Sequence, residues 1–175
     1  FILLRRYVSG KKKKFRNKNL YKLWDIKFES ELKKKHLYYP IKFFSFFLNN
    51  LKILRILLRF FERLTQKSNK YQKYFSFYKP SNIIIASTGY DIDQYLIREA
   101  KKNKCKVISF VYSWDNPSTK GYSAEIPDYT FVWNNIMKEE VSIFHDIKRE
   151  SIYSKGILHW DKYFTCSEFD KINKF

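Results

Sequence analysis

Residues 107–121 read VISFVYSWDNPSTKG, a run whose two halves obey different rules. Val107 to Tyr112 is a short β-branched and aromatic segment of the kind that forms a buried strand. From Ser113 the chemistry is that of a loop: Asp115, Asn116, Pro117 and Ser118 favour turns, and Gly121 supplies backbone freedom. A buried strand emptying into a polar loop is where open α/β sheets place ligand sites, at the carboxyl ends of their strands. The competing reading is a surface turn whose polarity reflects solvent alone.

The flanking sequence repeats the pattern. Ile83–Ser87 is a compact apolar strand, and Asp91 caps a helix to about Asn103 with Ile92, Tyr95, Leu96 and Ala100 inward. Tyr129–Trp133, introduced by Pro127 and Asp128, is a third strand. Asn134 or Asn135 caps a helix to about His145, with Ile136, Val141 and Phe144 inward, and Ile152–Gly156 is a fourth strand. Strands alternating with helices of about ten residues or more predict a parallel sheet with crossover connections, an α/β, Rossmann-like fold flanked by helices.

Upstream the chain reads as helical. Leu20–Leu37 carries a mostly helical spacing, and Phe43–Leu64 is dense in apolar residues. Lys52, Arg55, Arg59 and Arg63 interrupt the second segment, which makes it a poor membrane span, since each central charge costs about 2.5–3.5 kcal/mol. Their spacing puts them on one side of an amphipathic helix over about 43–64, with Leu51, Leu54, Leu58 and Phe61 on another. The apolar side is expected to pack on the sheet or to dock on a membrane surface. The chain therefore divides near Pro80 into a helical front segment, 1–79, and a Rossmann-like portion, 80–175.

Composition limits the function classes. With 175 residues, 45% hydrophobic and 20% aromatic, the chain can bury a real core. Two cysteines, Cys105 and Cys166, give no metal spacing and fit a reducing compartment, so the cytoplasm is the expected location. Docking on the inner face of the plasma membrane is the companion expectation. Met137 is the only methionine, so the sequence starts at Phe1 without an initiator, and a piece of a longer protein is expected. The net charge of +18 invites a nucleic-acid reading. Yet Lys abounds together with Phe, Tyr, Ile and Asn, a set whose codons are all AT-rich, and the one dense run is Lys11–Lys14 with Arg16 and Lys18. That run reads as a solvated loop or a contact to an anionic membrane surface.

In a parallel sheet the carboxyl ends converge, which gathers Ser87, Thr88 and Gly89, then Ser113, Trp114, Asn116, Ser118, Thr119, Lys120 and Gly121, then Asn134, then Gly156, His159, Trp160 and Asp161. Hydroxyls, amides and indoles in one cleft suit a sugar or another polyhydroxylated ligand. Asp115 is the first acid/base candidate, because a carboxylate beside an indole is partly desolvated. Trp133 reads as a core aromatic and His145 as a helix-terminal residue. No metal spacing and no glycine-rich phosphate loop is present, so neither metal nor cofactor is expected.

The segments Ser113–Gly121, Ile126–Asp128 and Phe131–Asn134, followed by a helix ending Phe144-His145, resemble the amino-terminal domain of bacterial GT-B-type glycosyltransferases. That group is related to surface-polysaccharide transferases and UDP-N-acetylglucosamine 2-epimerase-like proteins. The resemblance covers about Pro80 to Phe164 and departs at Pro117, at Thr119 and in a proline missing from Gly156–Asp161. It implies the acceptor-side half of a two-domain enzyme, inactive alone, that transfers a sugar from a nucleotide-sugar donor to a glycan or lipid-linked acceptor. A nucleotide-sugar 2-epimerase of the same architecture is the alternative within enzymes. A basic nucleic-acid-binding module is the alternative outside them, and nothing in the sequence matches a helix-turn-helix, zinc or RNA-recognition signature.

Overall fold

The computed structural model describes residues 4–5, 26, 29–30, 33, 36–67, 69–86, 91–157 and 160–161, with Asp91 and Thr119 described in their backbone alone. Its sheet has four parallel strands, β1 (Asn82–Ile85), β2 (Lys106–Phe110), β3 (Tyr129–Val132) and β4 (Ile152–Ser154), lying side by side in chain order. Helices α1 (Tyr38–Asn50), α2 (Lys52–Thr65) and α3 (Gln72–Tyr78) lead into it. Helix α4 (Asp91–Lys102) joins β1 to β2, and the short α5 (Asn116–Thr119) lies between β2 and β3. Helix α6 (Asn135–His145) and a 3-10 turn, Arg149–Ser151, join β3 to β4. The predicted α/β parallel sheet is therefore present; β3 and β4 lie inside the runs that announced them, and β1 and β2 each begin one residue earlier, at Asn82 and Lys106.

Strands added in one direction through right-handed crossovers carry their connecting helices on the same face. The register shows this. Ile85, Ser109, Thr130 and Ile152 lie in one cross-strand row, Ile83 and Val107 pair beside it, and this face takes the helices. Ile97 and Ala100 of α4 pack with Ile85, Val107 and Phe75 of α3, while Met137 and Val141 of α6 pack with Val132 and Ile152. Ser109 and Thr130, buried in the middle, bond to each other at 3.3 Å. The opposite face carries Ile84, Ile108 and Tyr129 in one row and Phe110, Phe131 and Tyr153 in the next. Those last three rings stack at 5.0 and 5.5 Å.

Several local expectations shift. Inside α4, Ile97 is fully buried while Ile92 is exposed, and inside α6 Met137 takes the inward place that Ile136 was expected to fill. Helix α3 ends at Lys79, whose φ of 43° is left-handed. Of the expected helix over 20–37, the described positions Ile26, Glu29, Ser30 and Lys33 are helical. Glu29 and Lys33 form an i,i+4 pair at 2.7 Å.

The apolar run over 43–64 is two helices, broken at an extended Leu51. Asn49 and Asn50 are poor helix formers, and the carbonyls they help to free are taken up locally. Arg55 Nη1 donates to the carbonyls of Leu48 and Asn49, at 3.0 and 3.1 Å, closing the end of α1. The same guanidinium donates to both oxygens of Asp146, at 2.7 and 2.9 Å.

This rotates α2 away from the expected facing: Leu54 and Leu58 still pack inward at Tyr122, with two of the four basic residues beside them. Arg55 and Arg59 point inward and are buried, whereas Leu51 and Phe61, expected on the packing side, stand outward; of that set Leu58 alone is fully buried. Arg59 donates to the carbonyls of Ser123 and His145 and lies 4.4 Å over the Tyr122 ring. Arg63 reaches Glu125, which also accepts from Arg98 at 2.8 Å. Glu62 accepts from Arg5 at 2.8 Å. Helix α2 is held by its charges.

Removing one member of such a buried pair leaves the other unpaired, which costs about 3–5 kcal/mol. Arg55→Ala is therefore expected to lower the unfolding free energy by about 3 kcal/mol or more in urea denaturation. An equal loss in Lys52→Ala, an exposed neighbour on the same helix, would contradict this account.

Candidate functional site

Strand β2 ends at Phe110 and the chain runs through Val111 and Tyr112 into the polar segment. There Ser113 Oγ donates to Asp115 Oδ1 at 2.5 Å, and Ser118 Oγ donates to the Asp115 carbonyl at 3.0 Å. These bonds fold the expected loop into one helical turn, α5, with Pro117 in its first turn, where a missing N–H costs nothing. Gly121 follows with φ 77°, the left-handed region that lets the chain reverse. Asp115 is half-buried and Trp114 is exposed.

Beyond α5 the segment turns back toward the helix face. Asn116, Lys120 and Gly121 line an internal cavity of about 20 Å³, shared with Arg5, Tyr122 and His145. That volume is enough for one water-sized molecule and not for a sugar. His145 locks this region in place. Its Nδ1 accepts from the Ser123 backbone N–H at 3.2 Å, so Nε2 carries the proton and donates to the Pro117 carbonyl at 2.9 Å. Burial, opposed by that carbonyl, pushes the His145 imidazole down from 6.5 to about 4, so it is neutral. The Tyr122 hydroxyl donates to Asp146 Oδ2 at 3.0 Å, and burial pushes its pKa up. Burial also raises the Asp146 carboxyl, but the Arg55 guanidinium outweighs this and holds it below the ordinary 3.8.

A wider space than this cavity lies at the carboxyl ends of the strands, opening onto the face that carries no helix among the described residues. It is a cleft of about 210 Å³ lined by Phe110, Tyr112, Phe131, Trp133, Lys155 and Gly156, among others. Trp133 forms one wall: its ring packs partly against the core and Nε1 donates to the Val111 carbonyl at 2.8 Å. Trp160 sits 5.8 Å from Trp133 with the rings tilted by 49°, and it is exposed. Gly156 lets the chain leave β4 here; its φ is 88°, and a Cβ there would meet nothing within 4 Å, so backbone conformation alone asks for glycine.

The expected site residues therefore fall into distinct groups. Gly156 lines the cleft, and Trp160 stands beside its Trp133 wall. Asp161 follows Trp160 and is exposed. Ser113, Trp114 and Asp115 belong to the exit of β2, while Asn116, Lys120 and Gly121 face the small inner cavity. Ser118 closes α5, and of Thr119 only the backbone is described. Asn134 is exposed and caps α6, its Oδ1 accepting from the Met137 backbone N–H at 2.9 Å. Ser87, Thr88, Gly89 and His159 lie outside the described residues, as do the Lys11–Lys14 run and Cys166.

Sequence reasoning passed over the charged cluster of Arg5, Arg55, Arg59, Glu125 and Asp146. Arginines at spacing four on α2 were its only local trace, and their acceptors lie 64 to 91 residues away in the chain. Among the described residues no group of three or more His, Cys, Asp or Glu side chains could hold a metal ion.

The lowered pKa of His145 has a sign. Between 6.5 and about 4 the unfolded chain binds a proton that the folded chain refuses, so stability rises with pH across that window and is lost on acidification. Asp146, also depressed, adds a loss below 3.8. Thermal unfolding temperature is expected to fall as the pH drops from 6.5 toward 4, and His145→Gln should flatten that slope. An unchanged slope in the variant would show that the acid sensitivity has another source.

Comparison with known proteins finds no matching family model, curated protein or solved structure.

Proposed function

We propose that this chain is the acceptor-side α/β domain of a glycosyltransferase that uses a nucleotide-sugar donor. One observation carries the reading: two indoles, Trp133 and Trp160, stand 5.8 Å apart beside a cleft at the carboxyl edge of a parallel sheet. Aromatic faces bind the C–H surfaces of sugar rings, and a few fixed polar groups then select orientation. Lys155 and the backbone at Gly156 are such groups, and Tyr112 adds a hydroxyl from β2's exit. In this reading Asp115, fixed by Ser113, takes the proton from the attacking acceptor hydroxyl as general base, or orients that hydroxyl. The carboxylate gains the proton, the acceptor oxygen bonds to the anomeric carbon, and the nucleotide leaves with the bonding pair. The motif resemblance over Ser113–Asn134 supports the same reading. Most of the donor would be held by a second α/β unit.

The test has two arms. Titrating the chain with surface-type oligosaccharides is expected to change tryptophan emission saturably, and Trp160→Ala should remove most of that change. The coding frame on either side of this chain is expected to contain a second α/β unit. The absence of both a saturable emission change and a second unit would overturn the reading.

A further inference from the structure

The rotated facing of α2 leaves an apolar surface outside. Phe43, Phe44 and Phe46 on α1, with Ile53, Phe60 and Leu64 on α2, are each more than half exposed. Both helices turn their buried stripes toward the same place, since Leu48 of α1 and Leu58 of α2 meet at Tyr122. Their outward stripes therefore share one side of the hairpin. The ring contacts Phe43–Phe47 at 5.2 Å and Phe46–Phe47 at 5.5 Å make the α1 half nearly continuous. Patches of this kind mark an interaction surface. Nor can α2 rotate to hide its outer residues, because rotation would strip Arg55 from Asp146 and Arg59 from the Ser123 and His145 carbonyls.

The charges around the patch identify what covers it. Helix α1 contains no acidic residue, and the one carboxylate in α2, Glu62, is buried against Arg5. Lys42 and Lys52 are exposed on the same two helices, and Lys67 follows α2, also exposed. Exposed apolar residues and exposed lysines on two helices that present no exposed acid of their own fit the headgroup boundary of an anionic bilayer. A second copy of this chain is a poor fit, because patch-to-patch pairing would bring these lysines together with no exposed carboxylate on either helix to meet them. Among the described residues no helix is long and apolar enough to cross a membrane, so the hairpin would lie on the surface.

We propose that the α1–α2 hairpin docks the protein flat on an anionic phospholipid surface, its phenyl rings entering the acyl boundary and its lysines meeting headgroup phosphates. The geometry differs from the face Leu51, Leu54, Leu58 and Phe61 expected from spacing, since Leu58 is turned inward. Sugar transfer and membrane docking rest on separate observations, so either can fail alone.

Flotation of the whole chain separates the outcomes. With vesicles of equimolar phosphatidylglycerol and phosphatidylcholine the protein is expected to float, and with phosphatidylcholine alone to float far less. Phe43→Ser with Phe60→Ser leaves the charge untouched and should lower the partition coefficient about a hundredfold, since burying each phenyl is worth about tenfold or more. Lys42→Glu with Lys52→Glu should reduce binding to the anionic vesicles only. Far-UV circular dichroism of the variants is expected to match that of the unsubstituted protein, which separates lost docking from lost folding. Undiminished flotation of the double-serine variant would mean plain electrostatic attraction of a +18 chain and would overturn the proposal. No flotation, together with a dimer that the same variant dissolves, would assign the face to a second copy and overturn it as well.

Discussion

A guanidinium taken out of water is costly unless its donors all find acceptors, and this protein buries several. Arg55 closes the end of α1 and holds Asp146; Arg59 holds two carbonyls and the face of Tyr122; Arg5 reaches Glu62 and the Tyr122 carbonyl at 2.8 Å. These acceptors exist in the right places only when the segment after α5 and the end of α6 are already folded. The helical hairpin is thereby tied to the α/β body through directional bonds as well as through the apolar contact of Leu48 and Leu58 at Tyr122. Its outward apolar surface is the consequence. Hydrophobic side chains stay in water because the arginines' requirement is directional and theirs is not.

The one-sided sheet has a similar logic. Four strands laid down in chain order leave their crossover helices on one face, and the other face is left to aromatic rows in register. Stacking across parallel strands orders that face, on which no helix lies among the described residues. At its carboxyl edge the two tryptophans and the exit of β2 come together, which is the place where an open α/β sheet offers a ligand the ends of several strands at once.

Residues 107–121 carried more of the architecture than of the site. Their apolar half forms β2 as its composition demands, but their polar half does not spread along the cleft. The Ser113–Asp115 and Ser118–Asp115 bonds wind it into a turn, and Gly121 sends it back under the helices to His145. Turn-forming residues announce that the chain changes direction. They do not say toward which layer. Trp160 was legible as a candidate and Trp133 only as a core aromatic, and their pairing depends on Gly156 bending the chain after β4, a contact between segments that share no local pattern.

The alternation of β-branched runs with capped helices was readable from neighbours a few residues apart, because backbone bonding, capping and side-chain periodicity are settled over that range. Asn134 capping α6 and the all-parallel sheet belong to this class. The facing of α2 belongs to the other. Its amphipathic pattern is plain in the sequence, but a stripe of arginines opposite a stripe of leucines reads equally well in either orientation. The choice fell to Asp146, Glu125 and two carbonyls some 60 to 90 residues downstream, which no local spacing reveals. Periodicity divides a helix into two sides; only the acceptors brought up by the rest of the chain determine which side is buried.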